Sequence, residues 1–229
     1  MTVDLPLLLF GLLLLWFPRQ WMRLGVSVGG RRRRPSGGPV GGVQPWEQRD
    51  AGDPRINARR EFGKLRNYFD LLRAAAGGLA IVGGFDIQSS LQPASANAVV
   101  HPLLVMALQY GILLVGTLIQ VIRYERRHIS FYAPIFFLAG LSVSLCGGWA
   151  ALFAFVLIWG VNPMFTGPQA FLTLYALAQL GLGVLFHGVA RELPVVAFGL
   201  GFLPVLISLL ARRPLVIMTR KASSPSGAA

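Results

Sequence analysis

Six residues, Arg123-Tyr124-Glu125-Arg126-Arg127-His128, separate two long apolar runs, Pro102–Ile122 and Phe131–Trp159. A bilayer crossing needs about 20 apolar residues, and each run supplies them. Short loops rich in Lys and Arg are retained in the cytoplasm, so three arginines in this loop set it inside. Every other segment then acquires a side and a depth.

Charge is divided unevenly between a head and a body. Arg19 to Arg73 holds 13 of the 21 basic residues and 5 of the 9 acidic ones, whereas Ala74 to Ala211 has only Arg123, Arg126, Arg127 and Arg191 against Asp86, Glu125 and Glu192. A basic hydrophilic head is thus joined to one apolar body. Over the whole chain 13% of residues are charged, against about 25% in soluble domains, and mean hydropathy is +0.60. The net charge of +12 does not call for nucleic acid, because basic residues beside spans are usual in membrane proteins and attract anionic lipid. Cys146 is the single cysteine, so no intrachain disulfide forms.

Residues 1–26 read as a hydrophobic anchor. Leu5–Phe17 is almost wholly apolar but spans only about 20 Å as a helix, and it is preceded by Asp4 and followed by Arg19 and Arg23. A secretory signal would carry its positive charge first, so the order favours retention with the arginines inside. Residues 27–53 form a basic linker: Ser27–Pro54 holds seven glycines, four prolines and the run Arg31, Arg32, Arg33, Arg34.

Asp53-Pro54 then carries a helix-start signature, Asp as N-cap and Pro in the first turn. Phe62, Leu65, Phe69 and Leu72 recur at helical spacing behind it. With Arg59, Arg60, Arg66, Asn67, Asp70 and Arg73 mostly off that face, residues 54–73 are expected to lie as an amphipathic helix in the inner interface, the arginines contacting lipid head groups together with Arg31–Arg34.

Residues 74–211 make the transmembrane bundle, an all-α polytopic fold of about five spans: Ala74–Leu91, Pro102–Ile122, Phe131–Trp159, Gln169–Ala190 and Pro194–Ala211. The third would measure about 43 Å if straight, so it must tilt or bend, at Pro134 or at Gly147-Gly148. Five crossings leave 123–128 and Arg191-Glu192 inside, 92–101 and 160–168 outside, and the flexible basic tail 212–229 outside. The competing arrangement makes Pro194–Ala211 re-entrant and returns the tail inside.

No catalytic signature is present: the chain lacks His-Glu-x-x-His, Gly-x-Ser-x-Gly, a phosphate-binding loop, paired cysteines and a dinucleotide fingerprint. An enzyme, a bound metal and a cofactor are therefore not expected. Small-residue ladders, Ala76-Ala80-Gly84 and Gly140-Ser144-Gly148, mark close helix contacts. The candidate site is intramembrane and polar: Asp86 and Gln109 in the outer third, Ser144 and Gln179 near the midplane, Gln120 and His187 near the inner face. Gln109 is the expected partner of Asp86. These residues serve either as hydrogen bonds between helices or as a hydrophilic track. The leading expectation is a structural or accessory membrane protein that packs with other membrane proteins or with itself. The alternative is a transporter or channel subunit using the track.

Overall fold

The computed structural model describes residues 2–17, 56–86, 102–125, 128–188 and 192–216. The linker with Arg31–Arg34, the 92–101 loop, Arg191 and the end of the tail lie outside the described residues, as does the side chain of Arg60. The molecule is an all-helical bundle. Four helices are long and apolar enough to cross a membrane: α4 (Pro102–Val121), α5 (Ile135–Gly160), α6 (Pro168–His187) and α7 (Leu193–Leu210). A shorter apolar helix, α1 (Leu5–Trp16), stands at the N-terminus, its first turn capped by Asp4, which accepts from the Leu7 N–H at 3.1 Å.

The second half of the expected interfacial helix and the first span form one rod. A five-residue helix, α2 (Ala58–Phe62), breaks at Gly63, and α3 (Leu65–Gly84) then runs unbroken through the boundary drawn at Arg73. It ends at Gly84, so Asp86 is not inside a helix. It lies in β2 (Phe85–Asp86), paired with β1 (Thr2–Val3). The polar side of α3 is also not solvated. Asn67, Asp70, Ala74, Gly77, Gly78 and Ile81 are buried, while Leu65, Phe69 and Leu72 are exposed. A helix with polar groups inward and leucines outward is suited to hydrocarbon, where a polar group facing lipid is costly.

The expected third span does not cross. Phe136 and Phe155 are 19 residues apart, about 28 Å along a straight helix. Their rings lie 5.8 Å apart, and Phe136 also meets Trp159 at 6.0 Å. The reversal occurs at Gly147, with φ 76° and ψ 159°. The Gly147-Gly148 pair, expected to bend the span, folds it back into two arms, 135–146 and 148–160. Each arm is about 18–20 Å long, too short for a bilayer core of about 30 Å.

Contacts fix the direction of every other helix. Arm 135–146 runs parallel to α3: Phe62 and Tyr68 meet Phe136 at one end, and Ser144 faces Gly78 further along. It also runs parallel to α6, with Ser142 against Tyr175, Cys146 against Gln179 and Gly183, and His187 at the reversal. α1 and α4 run antiparallel to α3, and α7 antiparallel to α6, Gln169 donating to Ser208 and Gly183 abutting Pro194. Gly140 fits directly under the Leu71 carbonyl, and Gly78 under Ser144, so the Gly140-Ser144 ladder is a close contact; Ala76 is exposed and Gly148 touches nothing.

Two ends result. One is closed by a three-stranded sheet: β3 (Ile122–Glu125) and β4 (His128–Tyr132) form a hairpin, and β5 (Leu215–Val216) pairs parallel to β4. This sheet end also holds α2 and residues 160–168. The far end holds Asp4, Asp86, the α5 reversal, His187 and Glu192. The segment after α7 and residues 160–168 therefore share the end of the 123–128 hairpin, contrary to the five-crossing expectation. Reversal inside α5 removes one crossing, and α7 itself is continuous. Two apolar clusters fill the interior, an aromatic one around Phe62, Phe136, Trp159 and Phe171 toward the sheet end, and one around Leu15, Ile81, Leu113, Phe137 and Leu145 toward the far end.

Candidate functional site

The buried arm 135–146 divides the polar interior in two. On one side α1 ends within the bundle, leaving carbonyls without partners, as every helix C-terminus does. Arg73 of α3 supplies the donors. Its Nη1 donates to the Phe17 carbonyl at 2.6 Å and to Leu14 at 3.3 Å, Nη2 donates to Gln120 Oε1 at 2.9 Å, and Nε donates to Asp70 Oδ1 at 3.0 Å. Gln120 then donates to the carbonyls of Leu15 and Phe17, both at 3.3 Å. The planar fork of a guanidinium meets several acceptors at once, and a cation at a helix C-terminus complements its dipole. The group also stands 5.4 Å from the centre of the Phe137 ring, within cation–π range. Asp70 is only 2% exposed. Arg73 is thus no head-group contact, since its donors are spent inside.

Three further polar residues continue this side toward the sheet end. Lys64 donates to Glu61 Oε1 at 2.6 Å, and Asn67 Nδ2 donates to the Glu61 carbonyl and to Oε2, each at 2.9 Å. Sequence reading passed over Glu61, Lys64, Asn67 and Asp70 as site residues. Their signal was the three-residue recurrence 61, 64, 67, 70, 73 running against the apolar 62, 65, 69, 72. Toward the far end Gln109 donates to the Val82 carbonyl at 3.3 Å. The side chain of Asp86, the expected partner of Gln109, lies outside the described residues; its backbone belongs to β2.

Across the arm, Ser142 and Tyr175 share a hydrogen bond of 3.3 Å, and Ser142 donates to the Ala139 carbonyl at 2.7 Å. The thiol of Cys146 approaches the Gln179 carbonyl at 3.9 Å. His187 Nε2 meets the Cys146 carbonyl at 2.5 Å, a carbonyl whose helical partner is lost at the reversal. His187 therefore belongs to the far end and not near the inner face, again because α5 turns back. Gln179 is 2% exposed, and among the described residues its Nε2 has no partner. It borders a seam between α5 and α7, lined also by Leu138, Leu141, Ala197 and Leu200, that has no room for a water-sized sphere.

No family model, curated protein or solved structure matches this chain. Chemistry must therefore be read from the groups themselves. Of the six expected residues, the five whose side chains are described do not line one track. Gln109 and Gln120 turn toward α3 and α1, Ser144 donates to Leu141 of its own helix at 2.8 Å, and Gln179 and His187 serve the α5–α6 contact. Among the described residues no group of three or more His, Cys, Asp or Glu is placed to hold a metal ion. What this arrangement does chemically is join helices: most of its donors end on carbonyls of a neighbouring helix.

Proposed function

We propose that the chain is a non-enzymatic integral membrane protein with a structural or accessory role, packing with other membrane chains or with further copies of itself. The observation that carries this reading is where the interior polar groups are spent: Arg73, Gln109, Gln120 and His187 all bond backbone carbonyls of other segments. Groups spent in this way hold a bundle together and are not free to meet a moving solute. The seam at Gln179, too narrow for water, agrees with that. A transporter or channel subunit is the second reading, favoured by the unpartnered Gln179 amide alone.

In this reading the protein crosses the cell membrane several times with the sheet end toward the cytoplasm. Arg59, Lys64, Arg66, Arg123, Arg212 and Arg213 belong to that end, and this excess of Lys and Arg supports its assignment to the cytoplasm by the positive-inside rule. From its charge alone we assign the basic linker, with Arg31–Arg34, to the same side, where it would meet anionic lipid. The test is gentle extraction followed by native mass measurement, with solute uptake by reconstituted vesicles in parallel. A mass above the 24.8 kDa of one chain without uptake is expected. A single chain that drives uptake would contradict the accessory role.

A further inference from the structure

We propose that the turn after α7 is a head-group site for an anionic phospholipid, with Arg212 and Arg213 meeting its phosphate. The proposal rests on the membrane reading above and goes beyond it by assigning a ligand to one place in the fold.

The first observation is strain. The Arg213 N–H donates to the Ser208 carbonyl at 3.0 Å and the Arg212 N–H to the Leu209 carbonyl at 3.1 Å. Many helices end in this pairing, and the residue that turns left-handed in it is usually glycine. Here it is Arg212, with φ 50°, the one non-glycine residue with positive φ among the described residues. A Cβ is unfavourable in that region. Such strain persists only where the surroundings impose it, and it gathers at binding sites. Ser208, 1% exposed, donates to the Arg213 carbonyl and accepts from Gln169 at 2.8 Å, while Arg213 Nη1 donates to the Ile129 carbonyl of β4 at 2.8 Å. α6, α7 and the sheet thus hold the turn in one shape. Glycine would make the same backbone bonds without strain. A cation also suits a helix C-terminus, but Arg213 already stands there.

The second observation is depth. α7 has 18 residues, about 27 Å of helix, close to the thickness of a bilayer core of about 30 Å. In its last turns Leu206, Leu209 and Leu210 are exposed on one face, where acyl chains would lie. Arg212 follows two residues beyond Leu210, at head-group depth.

The third observation is charge. Arg212 and Arg213 are both exposed. Arg212 has no hydrogen bond or ion pair among the described residues, and Arg213 has only the bond from Nη1. The carboxylates of Glu61 and Asp70, on this half of the bundle, are already paired with Lys64 and Arg73. Guanidinium groups match phosphate oxygens in geometry as well as charge. A phospholipid answers both the cations and the leucine face beside them, whereas a soluble anion answers only the cations.

The experiment uses the full-length chain in neutral detergent, titrated with phosphatidylglycerol or phosphatidylcholine, with bound lipid counted by native mass spectrometry. The wild type should hold phosphatidylglycerol and melt at a higher temperature in its presence, as a ligand of the folded state requires, and phosphatidylcholine should do neither. Asparagine tolerates positive φ without the charge, and glycine removes the strain as well. Arg212→Asn and Arg212→Gly should therefore weaken phosphatidylglycerol binding about tenfold or more, and Arg212→Gly should also melt higher than the wild type without lipid. Arg59→Gln removes an exposed cation elsewhere at the sheet end and should weaken binding no more than about fivefold, the worth of one cation near a charged surface. The site is overturned if the wild type holds both lipids equally, if the Arg212 variants bind phosphatidylglycerol as the wild type does, or if Arg59→Gln weakens it as much as they do. It is overturned too if glycerol phosphate, which has no chains, competes as well as the lipid, or if Arg212→Gly melts no higher, since the strain that singles out Arg212 would then be absent. Carbonate washing separates the two levels: a chain washed out of membranes defeats the membrane reading, whereas a retained chain whose bound lipid survives Arg212→Gly defeats the site alone.

Discussion

Alanine at Gly147 should weaken the bundle far more than alanine at its neighbour Gly148. Gly147 holds φ 76° and ψ 159°, a region open almost solely to glycine. Forcing a side chain into it costs about 1–3 kcal/mol. The new Cβ would also lie 3.0 Å from His187 Nε2, so the ring must retreat and its bond to the Cys146 carbonyl loosens, a loss of about 1 kcal/mol. Together the expected cost is about 2–4 kcal/mol, a large share of a stability of about 5–15 kcal/mol. At Gly148 a Cβ meets nothing within 4 Å, and φ is not positive. Alanine there should be neutral, or raise stability by up to about 1 kcal/mol through helix propensity. Thermal midpoints of the two variants, followed in the same detergent by loss of the monodisperse species, measure the contrast. Equal midpoints would refute the reversal, because a straight α5 would treat both glycines alike.

Other substitutions probe the packing. Arg73→Met should cost about 3–5 kcal/mol, since it strands the buried Asp70 carboxylate and the α1 carbonyls; an unchanged midpoint would show that the clasp contributes nothing. Gly140→Ala should prevent α3 from seating, because its Cβ would meet the Leu71 carbonyl and lie 2.8 Å from Ala74 Cβ, while Gly181→Ala, in open space, should leave the midpoint in place. Gln179→Leu removes a buried Nε2 that lacks a partner together with the amide's contact with Tyr175, so the two effects should nearly cancel and leave stability within about 1 kcal/mol; a larger fall would mean that the amide is fully paired.

Hydropathy and charge alone revealed the class of fold and the bounds of most helices. They could not reveal the path of α5. Its two arms are equally apolar, and a run of that length reads as a single crossing whether it stays straight or folds back. Only tertiary packing, Phe136 onto Phe155 and Trp159, distinguishes the two. That one ambiguity displaced His187 from one end to the other and moved the segment after α7 to the opposite side. The polar site failed for another reason. Asn67 and Asp70 sit among arginines in a segment that looks interfacial, so their face was assigned to water. Treating 65–84 as one embedded helix turns the same pattern inward. Gln120 was legible as an inward residue, but its task, joining Arg73 to the end of α1, depends on an approach between segments a hundred residues apart.

The central claim is that α5 reverses, so that residues before and after it share one side of the membrane. Single cysteines at Ile129, Met164, Arg212 and Glu192, each in a Cys146→Ala background, would be treated in intact and permeabilised cells with a thiol reagent that cannot cross the bilayer. Ile129 and Arg212 flank the sheet, Met164 is exposed just after α5, and Glu192 lies at the far end. The structure predicts that cysteines at 129, 164 and 212 react from one side and that at 192 from the other. Reaction of 164 from the side opposite 129 would mean that α5 crosses the membrane, and the account would fail.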